Sequence, residues 1–271
     1  LLQLHLINKG GSVKFPEPEC PPDGEHLRVL HLSGWALSDD FLPLLASLTR
    51  LDMLTINNCT GLTSGAELIK IIQTFSQLDV LYMAIPLELA ETPQITPIAL
   101  KVNQVRLMNC FRTTESFRRF CPALSGFQRI KELDLTHTPL DVDTMRLLVK
   151  SLPPSLFTLI LSKTNMGDAA MQLLAPALCN LKPFTLDFSG SNLTEEGALF
   201  LASNLPLTTQ FLYLQDNELG PEGIKSLIRN LARNHKDPTR WWLFFTRLND
   251  EPKLLKWINN LRHQGYRLSA Y

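Results

Sequence analysis

Apolar residues recur along this chain in a short alternating pattern that is repeated from one end to the other. In each copy, two apolar positions are separated by one residue, which is the period of a β-strand with one buried face. The first position of the pair is held by Leu4, Leu30, Leu54, Leu81, Val105, Leu133, Leu159, Leu186, Leu212 and Trp242. The second is held by Leu6, Leu32, Ile56, Met83, Leu107, Leu135, Leu161, Phe188, Leu214 and Phe244. Successive copies lie 24 to 30 residues apart, which leaves room for a helix after each strand.

Apolar residues at helical spacing follow most of these strands. The segments predicted to be helical are 39–48, 65–76, 114–120, 142–151, 168–179, 195–204 and 221–234. Several helix starts are marked by their residues: Ser64 and Glu67 fit a capping box, Thr194 precedes two glutamates, and Asp141 and Asp168 precede apolar residues at helical spacing. The connections 9–25 and 84–101 contain several prolines, and we expect them not to form regular helices.

The clearest copy of the repeat lies at 210–223, and a second well-formed copy lies at 156–168. In the first, the fourth, sixth, ninth and eleventh places of the pattern L-x-x-L-x-L-x-x-N/C-x-L are held by Leu212, Leu214, Asn217 and Leu219. Over essentially its whole length the chain resembles the ribonuclease-inhibitor-like class of leucine-rich repeat proteins. That resemblance implies an α/β solenoid shaped like a horseshoe, with a parallel sheet on the concave face and helices on the convex face.

We interpret residues 1–271 as a single leucine-rich-repeat domain of about ten repeats, with 250–271 as a C-terminal capping segment. The stretch 250–264 is predicted to be an amphipathic helix with an apolar face formed by Leu254, Leu255, Ile258 and Leu261. Leu1 already occupies the first place of a repeat, and no polar cap precedes it. Because repeat arrays need polar terminal caps, we expect the chain to be a fragment of a longer protein.

Charge and composition give no general preference for a polyanion or a membrane. The chain has 26 Lys and Arg against 26 Asp and Glu, although residues 225–271 carry a net charge of +7 and the remainder carries −7. No apolar run approaches the length that spans a bilayer. We therefore predict no membrane partner.

The five cysteines, an odd number, do not form a zinc or disulfide framework. Cys59 and Cys110 occupy the ninth place of the repeat, where a buried Asn or Cys is accepted. Cys121 and Cys179 fall on helical segments and are interpreted as small core residues. This usage favours a reducing, intracellular and cytoplasmic location.

A concave face that binds another protein is the predicted function. Strand residues at the third and fifth places face that surface, because the fourth and sixth face the core. The predicted contact residues are Tyr82, Arg106, Asp134, Asp187, Phe211, Tyr213 and Trp241. Arg106 and Asp134 are expected to pair across neighbouring strands. Phe211, Tyr213 and Trp241, with Leu243 beside them, are predicted to form an aromatic cluster suited to a binding hot spot.

The aromatic run 241–245 allows two phases. Either alternate set of its side chains can face inward, and in one phase Trp241 plugs the last strand beneath the capping helix.

No residue is assigned to catalysis, to a cofactor or to a metal. His5 and His31 are predicted neighbours on the concave face, but no third metal ligand accompanies them. The chain has no phosphate-binding glycine loop and no nucleophile elbow, so we predict that it is not an enzyme and has no cofactor. Single-stranded nucleic acid is the weaker alternative, at the C-terminal end where basic and aromatic residues interleave as Arg240, Trp241, Trp242 and Arg247.

The resemblance implies two narrower roles. Similar repeats form the C-terminal arrays of intracellular nucleotide-binding immune receptors, which sense a ligand or hold a switch domain inactive. Similar repeats also occur in substrate-recruiting subunits of ubiquitin ligases. The sequence does not identify the partner.

Overall fold

The computed structural model describes residues 3–8, 13–14, 26–89, 93–97, 100–127, 129–235, 237–246 and 251–270. The chain divides into two compact units. The first comprises residues 1–138 together with 151–155, and the second comprises residues 139–150 together with 156–271.

The first unit alternates parallel strands with short helices. Its strands are β1 (Gln3–Ile7), β2 (Val13–Lys14), β3 (Val29–Ser33), β4 (Trp35–Ala36), β5 (Met53–Asn57), β6 (Val80–Ala84), β7 (Gln104–Leu107) and β8 (Glu132–Asp134). Its helices are α1 (Phe41–Ser47), α2 (Gly65–Gln73) and α3 (Thr114–Phe120), the last continued by a 3₁₀ turn at Cys121–Gly126. The main sheet has the order β1-β3-β5-β6-β7-β8, and β2 pairs separately with β4.

The second unit has the same alternation with longer helices. Its helices are α4 (Val142–Ser151, all but Ser151 within this unit), α5 (Gly167–Leu181), α6 (Glu195–Ser203), α7 (Gly220–Asn234) and α8 (Pro252–His263). Its strands are β9 (Thr158–Ile160), β10 (Thr185–Asp187), β11 (Phe211–Leu214), β12 (Trp242–Phe245) and β13 (Arg267–Ala270). They form a parallel sheet in chain order, β9-β10-β11-β12-β13.

Rows of leucines across neighbouring strands form the core of each unit. In the first unit, the residues that pair in register are Leu4, Leu30, Leu54, Leu81, Val105 and Leu133. In the second unit they are Leu159, Leu186, Leu212, Leu243 and Leu268. Most of these side chains are fully buried, and burial of apolar surface at about 25 cal/mol per Å² is the main source of stability. The predicted fold class, an α/β leucine-rich-repeat solenoid with a parallel sheet, is confirmed.

The predicted helices agree with the observed ones to within a few residues. The described parts of the proline-rich connection 84–101 contain no helix, as expected, and most of 9–25 lies outside the described residues. At the C-terminal end, the amphipathic helix is α8, which buries Leu254 and Ile258. The strand that follows it, β13, was missed, because only Leu268 among its four residues is a buried apolar residue.

Asn217 organises the turn that follows β11. Its side-chain oxygen accepts hydrogen bonds from the backbone N–H groups of Ser191 and Leu193, at 3.1 and 3.0 Å. Its amide nitrogen donates to the carbonyl oxygens of Phe188 and Leu214, at 2.8 and 3.0 Å. A single buried side chain therefore satisfies backbone groups of two successive repeats. Backbone groups buried without such partners would cost about 1–3 kcal/mol each.

Two acidic residues at helix starts, Asp39 and Asp168, hold the next repeat, whereas Asp141 caps its own helix by accepting from the backbone N–H of Thr144 at 2.7 Å. Asp39 accepts hydrogen bonds from the backbone N–H groups of Thr63 and Ser64, at 2.9 and 3.2 Å, and from both hydroxyls. Asp168 accepts equivalent bonds from Thr194 in the second unit. We name these contacts inter-repeat clasps. The capping box predicted at Ser64 is therefore wrong, because the Ser64 hydroxyl is donated to Asp39 and does not cap α2. Thr194 caps its own helix as predicted.

The clasp at Asp39 predicts an acid-sensitive contribution to stability. Burial alone would raise the pKa of Asp39, but the hydrogen bonds from Thr63 and Ser64 outweigh it and lower the pKa to about 2. A depressed folded-state pKa stabilises the fold above the unfolded pKa near 4, and this stabilisation is lost as the pH falls from about 4 to 2. Because Asp39 is partly exposed, we expect a loss of no more than about 1 kcal/mol. Urea unfolding at pH 7, 4 and 2.5 measures it.

Asp39→Asn is the matched control for this prediction, since its side chain cannot titrate. The free energy of unfolding of the wild type should approach or fall below that of the variant between pH 4 and 2. Parallel pH dependence in the two proteins would show that the clasp has no electrostatic contribution.

Candidate functional site

The strand side chains that alternate with the core rows lie on the opposite face of each sheet, which we call the open face. On β6 the burial alternates from residue to residue, with Leu81 and Met83 buried and Tyr82 between them half-buried. The same alternation holds on β11 of the second unit, where Phe211 and Tyr213 are half-buried. The open face corresponds to the surface that the sequence predicts to be concave.

In the first unit, Tyr82 and Arg106 form the centre of a polar cluster on the open face. The Arg106 guanidinium carbon lies 4.7 Å from the centre of the Tyr82 ring, which is a cation–π contact. The Tyr82 hydroxyl donates to the Gln104 side chain at 2.5 Å. Arg106 also forms an ion pair with Glu132 on the next strand. These contacts hold Arg106 across three neighbouring strands, so its guanidinium is fixed before any ligand binds.

The prediction that Arg106 pairs with Asp134 is wrong, because the ion pair of Arg106 is with Glu132. The Asp134 carboxylate accepts from the backbone N–H and the hydroxyl of Thr136, at 2.9 and 2.6 Å. Glu132 has the longer side chain and forms the ion pair with Arg106 instead. Asp134 is only 5% exposed, and burial raises the pKa of its carboxyl despite the Thr136 bonds and the nearby charge of Arg106. It has too little accessible surface to serve as a main contact residue.

His5 and His31 lie side by side on the open face, as predicted. Their rings stack with 5.5 Å between centroids. Burial, and to a lesser extent the neighbouring His5, lowers the pKa of His31. Among the residues that the structure describes, no group of three or more His, Cys, Asp or Glu side chains is arranged to hold a metal ion.

Of the two phases that the sequence allows for the last aromatic strand, the structure has the one in which Trp241 is buried, and the assignment of Trp242 and Phe244 to core positions is wrong by one residue. Leu243 pairs with Leu212, and Phe245 pairs with Leu214, so Leu243 and Phe245 hold the core positions that the sequence assigns to Trp242 and Phe244. Trp241 is fully buried and packs edge-to-face against Tyr266, with 5.7 Å between ring centroids. Trp241 and Leu243 are therefore core residues, and neither belongs to the open face.

Trp242 and Phe244 occupy the open face in their place and form an aromatic group with Tyr213. Phe244 stacks on Tyr213, with 4.5 Å between centroids and 3° between ring planes. Trp242 lies parallel to Phe244 at 5.7 Å and 5°, and the Arg267 guanidinium lies 4.7 Å from the centre of the Trp242 ring. We name Tyr213, Phe244, Trp242 and Arg267 the aromatic ridge. It spans strands β11, β12 and β13.

The ring orientation in the ridge follows from the strand spacing. Neighbouring strands lie about 4.8 Å apart, close to the 4.5 Å between the Tyr213 and Phe244 rings. Rings that stack across strands at this distance stand upright on the sheet. Their faces are turned toward each other, and their edges point away from the protein. Because aromatic edges are electropositive, the ridge favours hydrogen-bond acceptors, anionic groups and the faces of other rings.

A second row of aromatic residues adjoins the ridge where the strands begin. Phe157 stacks on Phe184 with 4.7 Å between centroids, and Phe184 lies 5.4 Å from Phe211. Phe157 is 51% exposed, which is high for a large apolar side chain. Since Phe211 pairs in register with Trp242, the row and the ridge lie on adjacent strands of one sheet. Asp187, the remaining predicted contact residue, is half-buried and accepts from Ser189 at 2.9 Å.

The buried cysteines show no reactive character. Burial raises the pKa of Cys110 and of Cys121 to about 12, so both stay protonated and unreactive at neutral pH. Cys59 is also buried, and the described cysteines are all free thiols. Cys179 is exposed, which corrects its assignment to the core, and its thiol donates to the Asn204 carbonyl at 3.1 Å. Cys20 lies outside the described residues.

Comparison with known proteins identifies the repeat. A family model described as Leucine Rich repeat matches residues 210–227, the strand and helix around Asn217. With the repeated strand–helix units and their leucine rows, this match supports a leucine-rich-repeat fold for the chain. No curated protein matches the sequence.

Among the similar solved structures is an internalin from Listeria monocytogenes. It is 14% identical, with 100% of this chain and 87% of the internalin chain covered, at a TM-score of 0.36. At that score it is too distant to inform the binding surface. In the part of the chain that the structure describes, none of the helices combines the length and apolarity needed to cross a bilayer.

Proposed function

We propose that this chain binds another protein through the open face of its sheet, with the aromatic ridge as the energetic centre. Leucine-rich repeats serve in general as protein-interaction modules. The observation that carries the proposal is the stack of Tyr213, Phe244 and Trp242 with Arg267 placed over the last ring. Tyr, Trp and Arg are the residues enriched in binding hot spots.

The geometry of the ridge favours a protein over single-stranded nucleic acid. Nucleobases bind to aromatic platforms through free ring faces. In the ridge, Phe244 stacks on Tyr213, and Trp242 is covered by Arg267, so these faces are already engaged within the chain. Upright ring edges beside a cation match carboxylates, carbonyls and aromatic side chains of a polypeptide.

The proposed contact residues differ in part from those predicted by the sequence. Tyr82 and Arg106 in the first unit, and Asp187, Phe211 and Tyr213 in the second, remain proposed contacts. Asp134 and Trp241 are replaced because both are buried. The added residues are Trp242, Phe244 and Arg267.

Alanine substitution in the ridge tests the proposal. Immobilised wild-type chain and Phe244→Ala are incubated with the same cell extract, and the retained proteins are compared by quantitative mass spectrometry. Any partner lost from the variant is then titrated in purified form. We expect Phe244→Ala to weaken its binding by about 2 kcal/mol, roughly 30-fold in Kd, because the substitution removes the ring that joins Tyr213 to Trp242.

Arg146→Ala is the matched control, since Arg146 is an exposed residue on α4 whose only described ion pair is with Asp143. It should retain the same proteins with unchanged affinity. Circular dichroism checks that both variants are folded. Binding by the open face would be refuted by proteins that Phe244→Ala still retains but that are lost when surface residues of the helices are substituted. Tight binding of an oligothymidine that depends on Phe244 would favour nucleic acid.

Under this proposal, two narrower roles are available. The chain acts either as the ligand-sensing or autoinhibitory array of a nucleotide-binding immune receptor, or as the substrate-recruiting subunit of a ubiquitin ligase. A nucleotide-binding module or a cullin-adaptor box in the same gene product distinguishes them. We also propose a non-catalytic role and an intracellular location, the latter supported by the free thiols of the described cysteines.

A further inference from the structure

A groove lies between helices α6 and α7 of the second unit, and its lining is distinct from that of the open face. The cavity has a volume of about 350 Å³. The residues that line it are Ala202, Ser203, Ser226, Arg229, Asn230 and Arg233. Ala202, Ser203 and Ser226 are small, and this leaves open space between the two helices. The two arginines lie one turn apart on the same helix, so they are neighbours on its surface.

Hydrogen-bond donors dominate this lining, and it contains no carboxylate. Within the described chain, neither Arg229 nor Arg233 forms an ion pair or hydrogen bond, and the Ser226 hydroxyl has no partner there. The Asn230 side-chain oxygen already accepts from Asn234 at 2.8 Å, which leaves its amide group to donate. Guanidinium groups donate and cannot accept, and both arginines are exposed, so their donors are available to acceptors of a bound ligand.

Neighbouring cations of the same unit are neutralised within the chain. Lys225, one turn before Arg229 on α7, forms an ion pair with Glu222 at 2.6 Å. Arg240 pairs with Asp237 at 3.7 Å. Glu222 also acts electrostatically on Arg229, but its carboxylate bonds to Lys225. The like charges at positions 229 and 233, one helical turn apart, repel each other. A bound anion would remove that repulsion.

We propose that this groove binds an acidic segment of a partner polypeptide, with carboxylates held by Arg229 and Arg233. Two guanidinium groups one turn apart suit two successive acidic side chains. The groove has no aromatic lining on which a nucleobase could stack. Residues 225–271, which include both arginines, carry a net charge of +7 and would attract such a segment over a longer range. The site is separate from the aromatic ridge, and its test is independent of the open-face proposal.

Titration of the full 271-residue chain with a fluorescein-labelled heptaglutamate peptide tests the site by fluorescence anisotropy at low salt. Arg229→Gln and Arg233→Gln should each weaken binding by about fivefold, the effect of losing one partly exposed ion pair. The double variant should lose about 25-fold. Arg146→Gln is the control, because it makes the same change in net charge on another helix of the unit and should leave the affinity unchanged.

Three probes separate the carboxylate site from other sources of attraction. A heptaglutamine peptide should not bind, and equimolar inorganic phosphate should not displace heptaglutamate. Equal weakening by Arg146→Gln and the groove variants would overturn the proposal, because attraction would then come from net charge alone. Displacement by equimolar phosphate would assign the groove to a phosphate group. An oligothymidine that binds more tightly than heptaglutamate through the same arginines would assign it to nucleic acid.

Discussion

Asn217→Ala should destabilise the second unit by about 4 kcal/mol, one of the two largest single-residue effects that we expect in the chain. The substitution leaves the backbone N–H groups of Ser191 and Leu193, and the carbonyls of Phe188 and Leu214, without the partner they share. Each buried group left unsatisfied costs about 1–3 kcal/mol, and water entering the vacated space recovers part of the total. Urea unfolding followed by circular dichroism measures the change.

Two further variants make the Asn217 prediction specific. Asn259→Ala removes the same side chain from the exposed face of α8 and should change stability by less than about 0.5 kcal/mol. Asn217→Cys should lose less than Asn217→Ala, because cysteine occupies the equivalent place in other repeats. There the Cys110 thiol donates to the Met83 carbonyl at 3.3 Å. A loss below about 1 kcal/mol for Asn217→Ala would show that water replaces the side chain at little cost.

Trp241→Ala and Trp242→Ala should impair different properties, stability in the first and partner binding in the second, although the two residues are adjacent. Trp241 is fully buried, so its truncation leaves a cavity and should cost about 4 kcal/mol of unfolding free energy. Trp242 is half-buried on the open face, so Trp242→Ala should cost less than about 1 kcal/mol while weakening partner binding by about 2 kcal/mol. Urea unfolding measures the first quantity, and titration with the purified partner measures the second.

Trp241→Phe serves as the conservative variant. The Trp241 indole N–H is buried and has no hydrogen-bond partner among the described residues, so its removal costs no hydrogen bond. We expect Trp241→Phe to retain most of the stability that Trp241→Ala loses. If Trp242→Ala instead proves the more destabilising of the two alanine variants, the register of β12 is wrong and the aromatic ridge does not exist.

The repeated core could be predicted from sequence because many copies of the repeat agree on which alternate residues of each strand face the core. Leu30, Leu81 and Leu133 each belong to a strand pattern that fails if shifted by one residue, since polar or charged neighbours such as His31, Tyr82 and Glu132 would enter the core. A shift of one residue moves every side chain of a strand to the other face. The helices were predictable for the same reason, because their apolar faces repeat at a period distinct from that of the strands.

The phase of β12 could not be read from alternation, since all five residues from 241 to 245 are apolar. The burial pattern of this strand comes from its pairing with β11, which aligns Leu243 with Leu212. One sequence signal pointed to the observed phase. Every earlier copy has Leu or Val at the first core position, and Leu243 fits that preference where Trp242 does not.

The polar contacts of the open face depend on side-chain length. Strand register predicts which residues lie opposite each other, but not which side chains are long enough to bond. Asp134 lies opposite Arg106, yet its short side chain bonds to the residue two positions later in its own chain. Asp187 does the same with Ser189. Asp followed two residues later by Thr or Ser is the sequence signature of this local turn, and it could have been recognised at both places.

The strand β13 protects β12 from self-association. A strand at the border of a sheet presents unpaired N–H and C=O groups, and an apolar one is a template for pairing with other chains. Trp242–Phe245 would be such a template, but Arg267–Ala270 lies against it in parallel and places a charged residue at the border. Expression fragments that stop after α8 would expose the unpaired backbone edge of β12 and would also lose Arg267 from beside Trp242. Aggregation of such a fragment would therefore report a missing cover strand rather than a misfolded repeat array.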